Sequence, residues 1–119
     1  SRITIELKAA ERDFVLGEMR GLLSKVQGLL AAEADDDMDK FIQIAKVLKD
    51  DSKGDTQQSL LGKMPIGFKK MSYQIHSDFT QLYDNALAKE SASTLKQVAD
   101  LMQNCVACHA TYNLQAAAE

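Results

Sequence analysis

The strongest constraint on the fold is a repeated spacing of apolar residues along most of the chain. In four segments, apolar side chains recur every three or four residues, which places them on one face of an α-helix. The first segment, roughly residues 5–34, carries an inward stripe of Val15, Met19, Leu22, Val26 and Leu29. This spacing predicts one long helix with a single buried face.

Three further segments repeat this pattern. The second follows three aspartates at residues 35–37, whose carboxylates favour a helix N-terminus, and stops near residues 53–54. The third opens at Pro65, which is tolerated in a first helical turn because its missing N–H is not needed there. The fourth follows residues 91–93 and has an inward stripe of Leu95, Val98, Met102, Cys105, His109 and Tyr112. Between the second and third segments, residues 54–64 are predicted to form a long connection with a short helix around residues 57–63.

Length and composition bound the fold class. The chain has 119 residues, one proline and six glycines, and 45 % of its residues are apolar. A chain of this length suits one domain with one core. An alternating β-type pattern is confined to Ile3 and Ile5, so little or no sheet is expected. We therefore predict a single all-α domain over residues 1–119, an antiparallel four-helix bundle.

The most specific motif lies near the C-terminus. Residues 105–109 read Cys-Val-Ala-Cys-His, the pattern of covalent c-type haem attachment. Two thiols add to the two vinyl groups of the porphyrin, and the imidazole reaches the iron. At ~100° per residue, Cys105 lies ~60° from Cys108 and ~40° from His109 on a helix. All three side chains are therefore expected on one side, the inward side of the fourth stripe.

Other interpretations of the same residues carry less weight. A zinc site requires about four ligands, and the one additional candidate, His76, is distant in sequence. A thioredoxin-like redox pair is expected in a βαβ context, which the pattern lacks. Two ordinary buried cysteines leave His109 without a role. We therefore expect one covalent haem c, with His109 as an axial iron ligand.

With this motif, the chain resembles the class II cytochromes c, which comprise cytochrome c′ and its low-spin relatives. In that family the motif lies near the end of the last helix and a tyrosine often follows three residues after the histidine, as Tyr112 does here. The resemblance implies that Arg12 meets a haem propionate and that Leu16 occupies the distal position. One residue departs from the pattern: Asn113 stands where many cytochromes c′ have Arg or Lys.

The sixth iron position decides the function. If Leu16 faces the iron, no lone pair is available and the iron is five-coordinate, open to NO or CO. Met19 lies one turn further on the same helix and is the candidate sixth ligand, although a methionine on such a stripe is also a core residue. Met64 and His76 are weaker candidates.

Two functions therefore remain open: electron transfer with redox partner proteins, and binding of NO or CO. A peroxidase-type enzyme would require a distal base, which the stripe of Leu16, Met19 and Leu23 does not offer, so no catalysis is expected. The net charge of −3 makes nucleic acid an unsuitable partner and favours basic redox partners. No apolar run reaches the ~18 residues of a membrane span.

Localisation and assembly are expected from the chemistry and the resemblance. The N-terminus has no signal-peptide pattern, but this type of haem attachment occurs outside the bacterial cytoplasm, so a periplasmic location is expected. A row of small residues lies beside the first stripe, at Gly17, Gly21, Ser24 and Gly28. Such residues allow close approach of a second first helix, as in the homodimer common in this family.

Overall fold

The fold was obtained as a computed structural model that describes residues 1–51, 55–88 and 94–117; of residues 55–58 only the backbone is described. Within these ranges there are five helices and two strands, as follows. They are β1 (Ile3–Leu7), α1 (Ala9–Ala34), α2 (Met38–Asp50), α3 (Asp55–Gly62), α4 (Ile66–Leu87), α5 (Thr94–Thr111) and β2 (Tyr112–Ala116). The domain is thus mostly helical, as the apolar spacing predicts. No helix in these ranges is long and apolar enough to cross a membrane.

The helix starts follow the local chemistry of the sequence. The Asp37 side chain accepts a hydrogen bond from the backbone N–H of Lys40 (3.1 Å), which caps α2 as expected from the aspartate run. Asp36 has a φ of 54°, a left-handed conformation that aspartate tolerates better than most residues, and this reverses the chain after α1. Pro65 immediately precedes α4. The predicted end of the second segment at residues 53–54 and the predicted break at residues 91–93 lie outside the described residues.

Most of the buried side chains form one cluster, here called the main core. It contains residues from the second half of α1 and from α2, α4 and α5: Val26, Leu29, Ala32, Phe41, Ala45, Leu48, Phe79, Leu82, Ala86, Val98 and Leu101. The four long helices contact one another in the cyclic order α1, α2, α4, α5, with the contact between α5 and α1 the smallest of the four. The side of this arrangement between α1 and α5 is therefore less filled by helix–helix packing than the other three.

A second apolar cluster occupies that part of the domain. Its buried members are Ile5, Leu7, Val15, Leu60, Met64 and Tyr112, and Phe14, Met19, Phe68, Met71, Cys108 and Leu114 pack against them partly exposed. We call this set the second cluster. It joins residues of both strands, α1, α4, α5 and the segment around α3. A smaller cluster beside one main core is a common arrangement in a domain of this kind.

Two strands form near the ends of the chain, although the sequence predicts little or no sheet and places Ile5 and Tyr112 in helices. β1 pairs with β2 in parallel, with Ile3 opposite Tyr112 and Leu7 opposite Ala116, and the Ala117 N–H donates to the Leu7 carbonyl at 2.7 Å. The first helix consequently begins at Ala9 instead of near Ile5. The prediction that the helical stripe of the last segment includes Tyr112 is wrong. Residues 3–7 form a strand because its two-residue period points both Ile5 and Leu7 into the second cluster.

Tyr112 is the residue that anchors β2. Its ring meets the Phe68 ring edge-on, with centroids 5.7 Å apart and an interplanar angle of 70°. Its hydroxyl lies against Gly67, in the space that a β-carbon would occupy at that position. The start of α4 and the end of α5 are therefore joined through one aromatic side chain, and glycine at position 67 is required by this close approach.

Candidate cofactor site

The cysteine–histidine motif occupies the last two turns of α5, and the first half of the helix fixes it in place. Thr94, Val98 and Leu101 are buried, and the Thr94 hydroxyl donates to Glu33 Oε2 at 2.9 Å. Asn104, one residue before the motif, donates through Nδ2 to Asp78 Oδ2 of α4 at 2.6 Å. The helix is thus held by α1 and α4 up to the residue that precedes Cys105.

The side chains of the motif do not all point inward, which corrects the prediction. Cys108 is half-buried and packs against the second cluster, whereas Cys105 and His109 are exposed. Leu95, the first residue of the predicted stripe, is exposed as well. The buried face of α5 begins at Thr94 instead of Leu95 and includes Val98, Leu101 and the partly buried Met102, which packs against the main core. Within the motif itself, Cys108 is the side chain that packs against an apolar cluster.

Both thiols are free in the structure. Neighbouring protein atoms partly shield both sulfur atoms from water, even though the Cys105 side chain is exposed as a whole, and this disfavours the thiolate and raises the pKa of Cys105 and of Cys108; the neighbouring Cys105 sulfur raises the pKa of Cys108 further. Both side chains are therefore overwhelmingly protonated thiols at neutral pH. The protonated thiol is the form that supplies both the sulfur and the hydrogen when an S–H bond adds across a vinyl double bond.

A cavity of about 170 Å³ borders the second cluster. Six members of the cluster line it: Phe14, Val15, Met19, Leu60, Met64 and Phe68. Its polar lining residues are Glu18, Asp51, Ser72 and His76, and much of the remaining wall is completed by residues that belong to the main core or pack against it, Leu22, Leu48, Ile75 and Phe79. The cavity therefore lies between the two clusters, and Cys108 packs against one of them without lining the cavity.

The predicted distal residues occupy different positions around this space. Met19 lines the cavity, and so does the buried Met64. Leu16 is half-buried on α1 and is not among the residues that line it. His76 also lines the cavity, and its Nε2 lies 2.9 Å from the carbonyl oxygen of Lys49. The structure thus brings Met19 and Met64 together with the cluster of Cys108, and leaves Leu16 at its side.

Arg12 takes part in a different contact from the one the resemblance implies. Its Nε donates to the carbonyl oxygen of Leu114 at 3.3 Å and so ties α1 to β2. A second arginine, Arg2, lies at the motif itself, with its Nη1 3.5 Å from the carbonyl oxygen of His109. The sequence gives no signal for Arg2, because nothing local shows that the first residues of the chain lie beside the end of α5.

The donor set fits a c-type haem. Two free thiols and an imidazole stand at positions i, i+3 and i+4 of one helix, and the thiol that faces the protein interior does so in an apolar cluster. The space is smaller than the group would need: pockets for cofactor-sized ligands are typically ~300–1,000 Å³, and the cavity is well below that range. Side chains of the second cluster would have to move to admit a porphyrin.

A zinc site is not assembled in the described residues. Within residues 1–51, 55–88 and 94–117, no group of three or more His, Cys, Asp and Glu side chains converges on a common point. The two cysteines and His109 lie at nearby positions of one helix but do not converge on a common point. This arrangement suits the edge and the iron of a large ring more than a single small ion.

Comparison with protein-family models, with characterised proteins and with solved structures finds no significant match for this chain.

Proposed function

We propose that this chain is a c-type haem protein of the class II cytochrome c kind that carries single electrons. Cys105 and Cys108 would hold the haem through thioethers, and His109 would bind its iron. One observation carries the proposal: the complete attachment motif ends α5, and its Cys108 packs into a second apolar cluster with an adjoining cavity. The bound haem would supply a one-electron Fe(III)/Fe(II) couple.

The helices suit this role. We propose that α1, α2, α4 and α5 form an antiparallel four-helix bundle, with α3 as a short helix in the connection between α2 and α4. The main core would keep these helices fixed in both oxidation states, since most of its side chains are packed against one another, with Leu48 and Phe79 also lining the cavity. The second cluster would surround the ring with apolar side chains and exclude water from the iron.

The test of this function is whether pigment is covalently bound. The chain is produced in a host able to attach haem c, and the purified protein is extracted with acidified acetone, which removes non-covalent haem. We expect the colour to stay with the protein at one haem per chain, and a mass increase equal to haem. Colourless protein, or pigment that passes into the solvent, would contradict the proposal.

Electron transfer is favoured over gas binding by the position of Met19. A thioether is a common sixth ligand of electron-transfer haems, and Met19 lines the cavity whereas Leu16 does not. In the alternative, Met19 is only a core residue, the sixth position is open, and NO or CO binds there. The alternative follows from the apolar lining, which would admit an uncharged diatomic molecule while offering water few hydrogen-bond partners.

Met19→Ala separates these two functions. If Met19 binds the iron, the variant is expected to lose the weak far-red absorption band of Met-ligated ferric haem, to become high-spin, and to bind CO in the ferrous state. Met71→Ala is the matched control, because Met71 packs against the same cluster but does not line the cavity. An unchanged visible spectrum for Met19→Ala, with CO bound by the wild type, would favour the gas-binding alternative.

The remaining proposals concern place and partners. Haem attachment of this kind favours a periplasmic location, and the acidic net charge favours basic redox partners. A homodimer through α1 would use Gly17, Gly21 and the exposed Ser24. Gly28 would contribute less to such an interface, because a β-carbon there would meet Ile44 Cδ1 of α2 at 3.0 Å, which indicates a role in packing α1 on α2.

A further inference from the structure

We propose that the outer edge of β1 is a pairing surface for a second copy of this chain. The two β1 strands join antiparallel about Thr4, so that the sheets of both copies become one continuous sheet. The inference concerns the polypeptide itself and does not rest on the proposed function. It follows from three features of β1: the direction of its backbone groups, the exposed Ile3 side chain, and the positions of opposite charges along the strand.

The backbone of β1 has one edge paired with β2 and one edge open. The Leu7 carbonyl accepts a hydrogen bond from the Ala117 N–H at 2.7 Å and therefore faces β2. Because the backbone groups of successive residues in a strand point to opposite edges, those of Thr4 and Glu6 point away from β2. β2 is the one strand beside β1 within the described residues, and Thr4 and Glu6 are both exposed. Their N–H and C=O groups form an edge that a further strand can join.

A contact from α1 occupies the other edge of the sheet. Arg12 Nε donates to the Leu114 carbonyl oxygen at 3.3 Å, and α1 contacts β2 along its length of chain. A partner strand is therefore directed to β1.

Ile3 is the apolar side chain that such a partner would cover. It lies on the same face of β1 as Ile5 and Leu7, which are 6 % and 4 % exposed, yet Ile3 itself is 53 % exposed. In an antiparallel pair centred on Thr4, Ile3 of one copy stands opposite Ile5 of the other. Cross-strand pairs of β-branched side chains stabilise a sheet. Ile3 then extends the second cluster from one copy to the other.

Arg2 and Glu6 make this edge complementary to itself. Each lies two positions from Thr4, so pairing about Thr4 sets Arg2 of one copy opposite Glu6 of the other, and opposite charges stabilise such a pair. A register shifted by one residue in each copy sets Arg2 opposite Lys8, which are both positive. Neither Arg2 nor Glu6 forms an ion pair in the part of the chain that the structure describes. The Arg2 contact to the His109 carbonyl, at 3.5 Å, leaves other guanidinium N–H groups available.

The first test exchanges the charges in the full chain. Sedimentation equilibrium of the wild type is expected to show a reversible monomer–dimer equilibrium. Arg2→Glu sets two carboxylates opposite each other and Glu6→Arg sets two guanidinium groups opposite each other, so each is expected to weaken the dimer roughly tenfold. The double variant restores opposite charges and is expected to recover the wild-type dissociation constant, which damage to the monomer would not do.

The second test removes a backbone donor. Thr4→Pro deletes the N–H at the centre of the interface, and proline is tolerated on an edge strand where this side faces solvent. We expect the variant to keep the wild-type urea midpoint and to be monomeric at concentrations where the wild type is a dimer. Thr4→Val is the matched control, because it keeps the N–H and the β-branched shape, and it is expected to remain a dimer.

Three results would overturn the pairing of β1. The first is a wild type that stays monomeric at roughly 1 mM, where even a weak interface is populated. The second is a dimer that Gly21→Leu dissociates and Thr4→Pro does not, which would assign the interface to α1. The third is a double charge variant that associates no better than the two single variants, and this result decides the question even if Thr4→Pro fails to fold.

Discussion

Replacing both Cys105 and Cys108 with alanine is expected to reduce covalently retained haem from one per chain to none. Each thioether requires its own thiol, and the motif supplies the two thiols of this chain. The single variants Cys105→Ala and Cys108→Ala are expected to retain the haem through one thioether. The remaining vinyl group should then move the α band of the reduced haem to longer wavelength. The measurements are haem stain after denaturing electrophoresis and the spectrum of the pyridine adduct.

His109→Ala is the matched control for this experiment, because it leaves both thiols in place. We expect it to keep covalent haem while its iron loses the imidazole, which changes the visible spectrum without releasing pigment. Cys105 and His109 are exposed and Cys108 packs against the second cluster, so neither the cysteine variants nor His109→Ala should open the main core. Loss of pigment in His109→Ala alone, with retention in the double cysteine variant, would contradict the assigned roles.

The largest expected effect on stability lies in the main core. Leu82 on α4 is fully buried, with 0 % exposure, and truncating such a leucine costs ~2–5 kcal/mol through lost burial and the cavity left behind. We expect Leu82→Ala to lower the free energy of unfolding by this amount, measured by urea denaturation.

Leu87 on the same helix is 51 % exposed and provides the control. Leu87→Ala makes the same chemical change at a solvated position and is expected to alter the free energy of unfolding by at most ~0.5 kcal/mol. The pair separates burial from helix propensity, since both substitutions replace leucine by alanine in α4. Similar losses for the two variants would show that the main core does not depend on Leu82 as described.

The helices could be predicted from sequence because the signals that make them are local. The 3–4 spacing of apolar residues, the aspartates before α2 and the proline before α4 all act within a few residues of the chain. The strands could not be predicted in the same way. The partner of Ile3 is Tyr112, more than a hundred positions away, and five residues with one alternation provide too short a pattern to indicate a sheet.

The motif at residues 105–109 can be recognised from residue type and spacing alone, whereas the orientation of its helix could be predicted only in part. The predicted stripe contains the buried Val98 and the partly buried Met102, but its first position falls on the exposed Leu95 instead of the neighbouring buried Thr94. The hydroxyl of buried Thr94 donates to Glu33, which lies 61 positions away in the chain. This hydrogen bond allows a polar residue to occupy an inward position, whereas a hydrophobicity pattern assigns that position to the neighbouring Leu95.

The candidate distal residues show a similar limit. The resemblance implies that Leu16 faces the iron; of Leu16 and Met19, it is Met19 that lines the cavity. Residues three apart on a helix point ~60° apart around its axis, so a modest rotation of α1 exchanges which of them faces a given space. The sequence makes Met64 a weaker candidate because it lies in a connection, yet the turn after α3 buries it in the second cluster.

The close approach of the Tyr112 hydroxyl to Gly67 makes these two positions a single unit of sequence variation. A larger residue at 67 is compatible with this packing only if the phenol oxygen at 112 is given up, for instance by a phenylalanine whose ring can still meet Phe68 edge-on. A larger residue at 67 alone would therefore meet the Tyr112 hydroxyl, whereas the paired exchange with phenylalanine at 112 would remove that contact.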